Sequence, residues 1–178
     1  MLRLRKAPMD DTPFRPFETL LDQAQALAVL RAATAGADDG ELFLERRRSE
    51  AIVLDDGRIR TASYDASEGF GLRAVRGEVA GYAHSTEISE SALKRASETA
   101  RLAVGDGGGV LAAPPQGTNL RLYTDADPMA DASFAGKIDL LKEMDAWARA
   151  LDPRIVQVSA TISAGLQEVE ILRPEGLL

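Results

Sequence analysis

Between residues 41 and 84, apolar and polar positions alternate in short runs that are separated by turn residues. A period of two places successive side chains on opposite faces of a strand. The runs therefore predict strands at residues 41–47, 51–54, 58–64, 69–75 and 78–84. Gly57 and Gly77 mark tight turns, because glycine adopts positive φ without steric cost. Strands joined by short turns pair antiparallel, since a parallel pair needs a long crossover.

Three segments instead have apolar residues at helical spacing. They predict helices at residues 19–35, 89–104 and 133–150, with Thr19 and Ser89 as N-caps of the first two. The predicted buried residues are Leu20, Ala24, Leu27 and Leu30 in the first helix, Ala92, Leu93, Ala96, Ala100 and Ala103 in the second, and Ile138, Leu141, Met144, Ala148 and Leu151 in the third. Two more strand-like runs follow, at residues 154–163 and 166–172.

These elements predict the α+β fold class, with a mainly antiparallel sheet and helices packed on it. The order helix, strand, strand occurs twice, which favours a duplicated unit whose strands share one sheet. The second unit stops shortly after its turn at residues 174–176, so we expect it to be truncated at its carboxy-terminal end. Residues 1–16 are predicted to be a disordered tail, because Pro13 and Pro16 argue that regular structure begins only near Phe17, and residues 17–178 are predicted to be one domain.

Composition excludes several classes of function. The net charge of −7 and the pI of about 4.8 oppose binding to nucleic acid. Cysteine is absent, which removes disulfides, thiolate zinc sites and a cysteine nucleophile. No apolar run approaches the ~20 residues that cross a bilayer, and the basic start lacks the apolar stretch of a secretory signal. We therefore expect a cytoplasmic protein without a membrane segment.

His84 is the only histidine, and Ser85 follows it. Zinc sites in hydrolases combine two or more histidines with a carboxylate. Adjacent residues on a strand point to opposite faces, so His84 and Ser85 cannot form the hydrogen bond of a catalytic triad. The sequence therefore predicts a partly exposed histidine at the end of a strand.

Three groups of carboxylates lie in predicted loops or turns: Asp38 with Asp39, Asp55 with Asp56, and Asp125 with Asp127. Aspartate is favoured there for local hydrogen bonds, and none of the three has the spacing of a calcium loop. The run 46–48 consists of three arginines, of which Arg46 and Arg48 share a face. Because Glu45 and Glu50 flank the run, we predict a solvated surface with salt bridges of little energetic value.

Two other features suggest no chemistry. Residues 105–117 are rich in glycine and proline and predict a flexible connection. A phosphate-binding loop would need a leading strand and a following lysine, and both are missing. Trp147 is predicted to lie at the edge of the core. No catalytic, metal-binding or cofactor-binding residue is therefore predicted.

The run ERRRSEAIVLDDGRIRTASYDASEGFGLRAVRGEVAGYAHS, at residues 45–85, resembles the amino-terminal domain of the TldD/PmbA family. The later runs ISESALKRA, LYTDADPM and KIDLLKEMDAWARALDPRIVQVSATIS are similar to the TldD branch. The resemblance extends over nearly the whole sequence, and it is one of pattern rather than of a catalytic motif.

This resemblance implies part of a zinc metallopeptidase that acts on peptides or unfolded proteins and pairs with a TldE/PmbA-like subunit or with itself. The family's H-E-x-x-x-H zinc motif lies in the carboxy-terminal half and is absent from these residues. Zinc is therefore expected outside this chain, whose implied role is to shape the substrate cleft while being inactive alone. The alternative is an independent protein-interaction or assembly module without catalysis, which pairs through an exposed sheet edge.

Overall fold

The computed structural model describes residues 12–105, 126–130 and 132–177. Five strands are present: β1 (Asp39–Asp55), β2 (Arg58–Arg76), β3 (Val79–Ser85), β4 (Ser159–Arg173) and β5 (Gly176–Leu177). They form one antiparallel sheet in the order β3-β2-β1-β4-β5. The described helices are α1 (Pro16–Thr19), α2 (Gln23–Ala33), α3 (Glu90–Val104) and α4 (Phe134–Leu151). The predicted fold class, α+β with a mainly antiparallel sheet, is confirmed.

The long strands are continuous where the sequence predicts breaks, at residues 48–50, 65–68 and 164–165. These three predicted breaks are wrong. The three segments lie beside one another in the sheet, and one cause explains all of them. Arg48 pairs with Ala66 of β2 on one side and with Leu166 of β4 on the other. Polar residues interrupt the apolar pattern at this level without reversing the chain, so the backbone ladder continues through it.

The β1–β2 turn is as tight as predicted. Asp56 and Gly57 both have positive φ, of 50° and 73°. Two successive residues in this region match the right-handed twist of the strands on either side. The turn therefore sets the register at the start of the hairpin, with Asp55 opposite Arg58, and an irregularity between Val53 and Leu54 then shifts the pairing by one residue.

Each of the three longer helices begins at a side-chain cap. Ser89 accepts a hydrogen bond from Ala92 N at 3.2 Å, as predicted, and Ser133 accepts one from Gly136 N at 3.1 Å. The predicted first cap, Thr19, is wrong, because Asp22 is the N-cap of α2 and accepts from Gln25 N at 2.8 Å. The predicted helix at residues 19–35 therefore begins too early, because Thr19 is the last residue of α1 and α2 spans only Gln23–Ala33.

All the described helices contact one face of the sheet, formed in β1 by the even-numbered residues. Two apolar clusters lie between helices and sheet. The larger joins α2 and α3 to Leu42, Leu44, Phe70, Leu72 and Leu172, and the smaller joins α4 to Ile52 and Leu54. The odd-numbered face is uncovered by described residues, which suits an antiparallel sheet with one polar side.

The predicted buried faces of the helices are right in part. Leu30, Leu93, Ala100 and Leu141 are fully buried. Leu20, Met144 and Leu151 are exposed, and so are Ala24 and Ala103. Helical spacing identifies the apolar residues of a helix, but it does not tell which of them a neighbouring element covers.

The predicted tail, residues 1–16, overlaps the described residues only from Thr12. There Phe14 is buried in the larger cluster, and α1 begins at Pro16. The prediction of a disordered tail is therefore wrong for residues 14–16. The division into a tail and a single domain otherwise stays a prediction.

Candidate functional site

Six charged residues occupy the helix-bearing face between the two apolar clusters. We call them the central polar cluster: Arg46, Arg48 and Glu50 of β1, Glu168 of β4, Lys137 of α4, and Asp127. Strand alternation places the three β1 residues in line with Leu44 and Ile52, which are fully buried. The polar residues therefore replace apolar core residues at the middle of the sheet.

Glu168 contacts two arginines of β1 and the backbone of the chain before α1. Its carboxylate accepts from Arg46 Nη2 at 2.9 Å and from Phe14 N at 3.1 Å, and it lies 3.6 Å from Arg48 Nη2. The guanidinium of Arg46 also stacks over the ring of Phe14, 5.4 Å from its centroid. These contacts connect the chain before α1 to β4 on the helix-bearing face of the sheet.

Arg48 is 7% exposed and is the deepest cation of the cluster's β1 residues. Its Nη2 atom pairs with Asp127 at 3.3 Å, whereas Nε and Nη1 are buried without a hydrogen-bond partner among the described residues. The prediction that the arginine run forms a solvated surface is wrong for Arg48, because its alternation points it toward the helices. Only Arg47 is exposed.

Lys137 holds α4 to the sheet. It is 7% exposed, its Nζ donates to Glu50, and the same atom donates to Met129 O at 3.0 Å. Met129 is itself buried. Residues 127 and 129 are thus fixed to the sheet by two cations, which places the chain before α4. Lys137 was not predicted from the sequence to be buried. The signal was available, because Lys137 lies one helical turn before Leu141 and therefore on the same, buried face of α4.

An open cleft of about 680 Å³ adjoins the central polar cluster. It is lined by Pro13, Phe14, Arg15, Arg48, Asp127, Ala130 and residues 166–170 of β4. Its charged groups are of both signs, and Arg15 lies 3.8 Å from Glu170. The cleft can therefore present paired charges and strand backbone to a ligand.

The outer edge of β4 forms one side of this region. Among the described residues, β5 pairs with β4 only at Leu172 and Arg173. The backbone from residue 159 to residue 171 therefore has no neighbouring strand on that side within the described part of the chain. An edge of this kind can accept a further strand.

His84 lies exposed at the end of β3, as the alternation predicts. Its ring stacks on Tyr82 with centroids 5.7 Å apart. His84 pairs with Gly71 and Ser85 with Phe70, so the two side chains point to opposite faces and form no dyad. Trp147 is 66% exposed, so its prediction as a core-edge residue is wrong.

The predicted carboxylate pairs are held in ion pairs between elements. Asp39 binds Arg173 and Asp55 binds Arg60, while Asp56 binds Arg149. The hydrogen bond to Asp56, and to a smaller extent the one to Asp145, raises the pKa of the Arg149 guanidinium. Asp125 lies outside the described residues. The flexible connection at 105–117 does too, apart from Gly105.

The described residues offer no donor set for zinc. The whole sequence has one histidine and no cysteine. No group of three or more histidine, aspartate or glutamate side chains is arranged to hold a metal within the described ranges. The prediction that this chain contributes no catalytic, metal or cofactor residue stays a prediction. None of its described helices is long and apolar enough to cross a membrane.

Two family domains match the sequence, one on either side of residues 105–126. The PmbA/TldA metallopeptidase domain 1 matches residues 40–104, which contain β1, β2, β3 and α3. The PmbA/TldA metallopeptidase central domain matches residues 127–178, which contain α4, β4 and β5. Both matches are to parts of a metallopeptidase family. The chain belongs to the TldD/PmbA family.

Curated relatives agree with this assignment. The chain is 28% identical over 158 residues to the metalloprotease TldD homolog of Buchnera aphidicola from Acyrthosiphon pisum, covering 88% of the chain and 33% of the relative. It is 32% identical over 146 residues to the metalloprotease TldD homolog of Haemophilus influenzae, covering 79% and 30%. The chain therefore spans about a third of the length of the curated relatives that it matches.

A solved structure shows the same fold. TldE from Thermococcus kodakarensis superposes with a TM-score of 0.62 and 16% identity, over 86% of this chain and 36% of that one. At this identity the likeness concerns the fold alone. The long antiparallel sheet with helices on one face is thus an arrangement found in the family.

Proposed function

We propose that this chain is the amino-terminal scaffold of a TldD-like zinc metallopeptidase that cleaves peptides or unfolded proteins in the cytoplasm. Its part is to form one wall of the substrate cleft and to support the zinc-binding portion. Family membership over both matched domains supports this role. The cleft beside the central polar cluster is its candidate contact with substrate.

One observation carries the proposed division of labour. An H-E-x-x-x-H motif needs two histidines, and these 178 residues contain only His84. His84 is exposed on β3 beside Tyr82, and no carboxylate is described in contact with it. Hydrolysis that depends on a zinc-bound water therefore requires ligands from outside this chain.

The proposed partner is a TldE/PmbA-like subunit, with self-association as the other possibility. The fold shared with TldE supports a family in which similar subunits meet. Symmetric or pseudo-symmetric pairing of similar chains is the common mode of association among soluble proteins.

The test is peptide hydrolysis by the purified chain with added zinc, beside a complete TldD–TldE pair as positive control. We expect no hydrolysis above buffer from this chain. Zinc-dependent hydrolysis that His84→Ala abolishes, while a Tyr82→Ala variant retains it, would overturn the proposal.

A second candidate is an independent assembly module that pairs through the edge of β4. The unpaired backbone at residues 159–171 favours it, because an added strand would satisfy these groups. Hydrogen exchange separates the two functions. The informative amides are those of β4 that point away from β1, toward the unpaired edge. A module that assembles by itself protects these amides in the isolated chain in a concentration-dependent way, whereas in a scaffold without its partner they exchange fast at every concentration.

A further inference from the structure

The β1–β2 hairpin and the β4–β5 hairpin are built alike. In the first, Asp55 pairs with Arg58 across a two-residue turn, and in the second Arg173 pairs with Gly176 across another. Subtracting the first pair from the second, 173 − 55 and 176 − 58, gives an offset of 118 residues in both cases. The repeated helix-strand-strand order is therefore a repeat in register.

The same offset relates the helices. α4 ends at Leu151 and α2 at Ala33, and 151 − 33 is again 118. The pairing of β1 with β4 agrees, since Arg48 lies opposite Leu166 and 166 − 48 is 118 as well. Because the strands are antiparallel, the two units are related by a pseudo-twofold axis that passes through this residue pair.

In the first unit, α3 covers one side of α2. Asp22, Gln25, Ala26 and Val29 line the space between the helices, opposite Glu90, Leu93 and Lys94. Ala26 is 2% exposed, and the Ser97 hydroxyl donates to Val29 O at 3.4 Å. This side of α2 is therefore a helix-packing surface that is separate from its contact with the sheet.

The offset carries that packing surface onto an exposed stripe of α4. Asp22, Ala26 and Val29 correspond to Leu140, Met144 and Trp147, and the last residue of α2, Ala33, corresponds to Leu151. The exposed fractions of these four side chains are 50%, 47%, 66% and 61%. Their spacing of four, three and four residues is that of a seam between two helices. Large apolar side chains exposed in a row mark a contact surface.

We propose that the stripe of Leu140, Met144, Trp147 and Leu151 is the docking face for a helix equivalent to α3, supplied by the family's polypeptide outside these residues. The curated relatives leave room for it, since this chain covers 33% of one and 30% of the other. Adding 118 to the bounds of α3, 90 and 104, places the helix at about residues 208–222 of a longer polypeptide.

The chemistry of the docked helix follows from α3. A narrow row of small residues, Ala92, Ala96 and Ala100, brings α3 close to the sheet, while Leu93 adds an apolar contact in the same cluster. The equivalent helix should carry small residues toward the extension of β5 and apolar ones toward α4. It buries the stripe as α3 buries α2.

Because the chain contains no cysteine, a single cysteine introduced in the stripe can be labelled selectively. A single cysteine is introduced as Met144→Cys, or as Leu140→Cys in case the first variant fails to fold, and its alkylation rate is measured. The rate is compared between the 178-residue chain and the longer polypeptide of the same reading frame, freed of its other cysteines. Leu102→Cys, on the 74% exposed side chain of α3, is the matched control.

We expect alkylation at Met144→Cys to slow about tenfold or more in the longer polypeptide, since a covered site reacts only through local opening. The Leu102→Cys rate should stay the same. Equal rates at Met144→Cys in both polypeptides would overturn the proposal, as would a reading frame with no helix near residues 208–222. Protection in the 178-residue chain that grows with its concentration would also overturn it, in favour of a second copy. None of these readouts depends on peptidase activity.

Discussion

Lys137 links α4 to the middle of the sheet through a buried ion pair. Its ammonium group is buried between Glu50 and the carbonyl of Met129. Removing one partner of a buried ion pair leaves the other charge without compensation, which costs more than the pair contributes. Lys137 is thus expected to matter far more than any lysine on the surface of the same helix.

We predict that Lys137→Met lowers the free energy of unfolding by about 2–4 kcal/mol, because Glu50 remains partly buried and unpaired. Lys142→Met, on an exposed position of α4, should change it by less than about 0.5 kcal/mol. Urea denaturation measures both. The double variant Lys137→Met with Glu50→Leu should regain most of the loss, and a Lys137→Met variant as stable as Lys142→Met would contradict the account.

A second prediction concerns the end of α4. Arg154 donates hydrogen bonds to Asp152 from its side chain and from its backbone N–H. Both lower the pKa of the Asp152 carboxyl, the side-chain bond more than the backbone bond. A carboxyl whose pKa is lowered by folding stabilises the native state at pH values above its ordinary pKa. This stabilisation is lost as the pH falls through the native pKa. In Arg154→Gln the Asp152 pKa should rise toward its ordinary value, while Arg47→Gln should leave it unchanged. A carboxyl-detected NMR titration that shows no rise would count against the hydrogen bond.

At the scale of elements, β3 and α3 approach each other closely at Gly81. A Cβ atom at Gly81 would lie 2.2 Å from the carbonyl oxygen of Ala100. Backbone cannot move aside as a flexible side chain can, so this glycine is required by packing. The strand and the helix are thereby fixed at one distance.

We predict that Gly81→Ala lowers the free energy of unfolding by about 1–3 kcal/mol, through the overpacking of β3 against α3. Gly165→Ala is the matched control in β4, where a Cβ atom would meet only the Arg48 carbonyl oxygen at 3.6 Å. It should leave the stability unchanged or raise it by up to about 1 kcal/mol, since glycine weakens a strand interior. Thermal unfolding of both variants checks the difference, and equal effects would contradict the packing argument.

The elements also show how far a sequence reading can go. Alternation predicts the buried side chains of β2, where Phe70, Leu72 and Ala74 are all at most 4% exposed. It fails at the middle of the sheet because polar residues there resemble turns, although Arg46 and Arg48 of β1 pair with Glu168 across the strands. Ion pairs between residues more than 100 positions apart leave no local trace in the sequence.

The exposed stripe of α4 illustrates the same limit. Met144 and Leu151 have the spacing of core residues, and they were predicted to be buried. Their spacing is that of a packing surface, and the partner that we propose for it lies outside the described residues. For the candidate site, the sequence gives the arginine run and the aspartates, whereas the cleft forms only when β1 and β4 pair.

At the scale of the whole molecule, the two matched family domains share one sheet. β1 from the first pairs with β4 from the second from Leu42 to Asp55. The central polar cluster and the cleft lie at this junction, where Arg48 of one contacts Asp127 of the other. The boundary between the two family domains therefore divides the sequence, but it does not divide the sheet, whose strands come from both domains.

The central claim is that these residues supply a platform and no metal centre. Zinc retention tests it most directly: the purified 178-residue chain is equilibrated with excess zinc, dialysed against metal-free buffer, and its zinc content is measured by mass spectrometry. The account predicts that no zinc remains bound. One tightly held zinc ion per chain would contradict it.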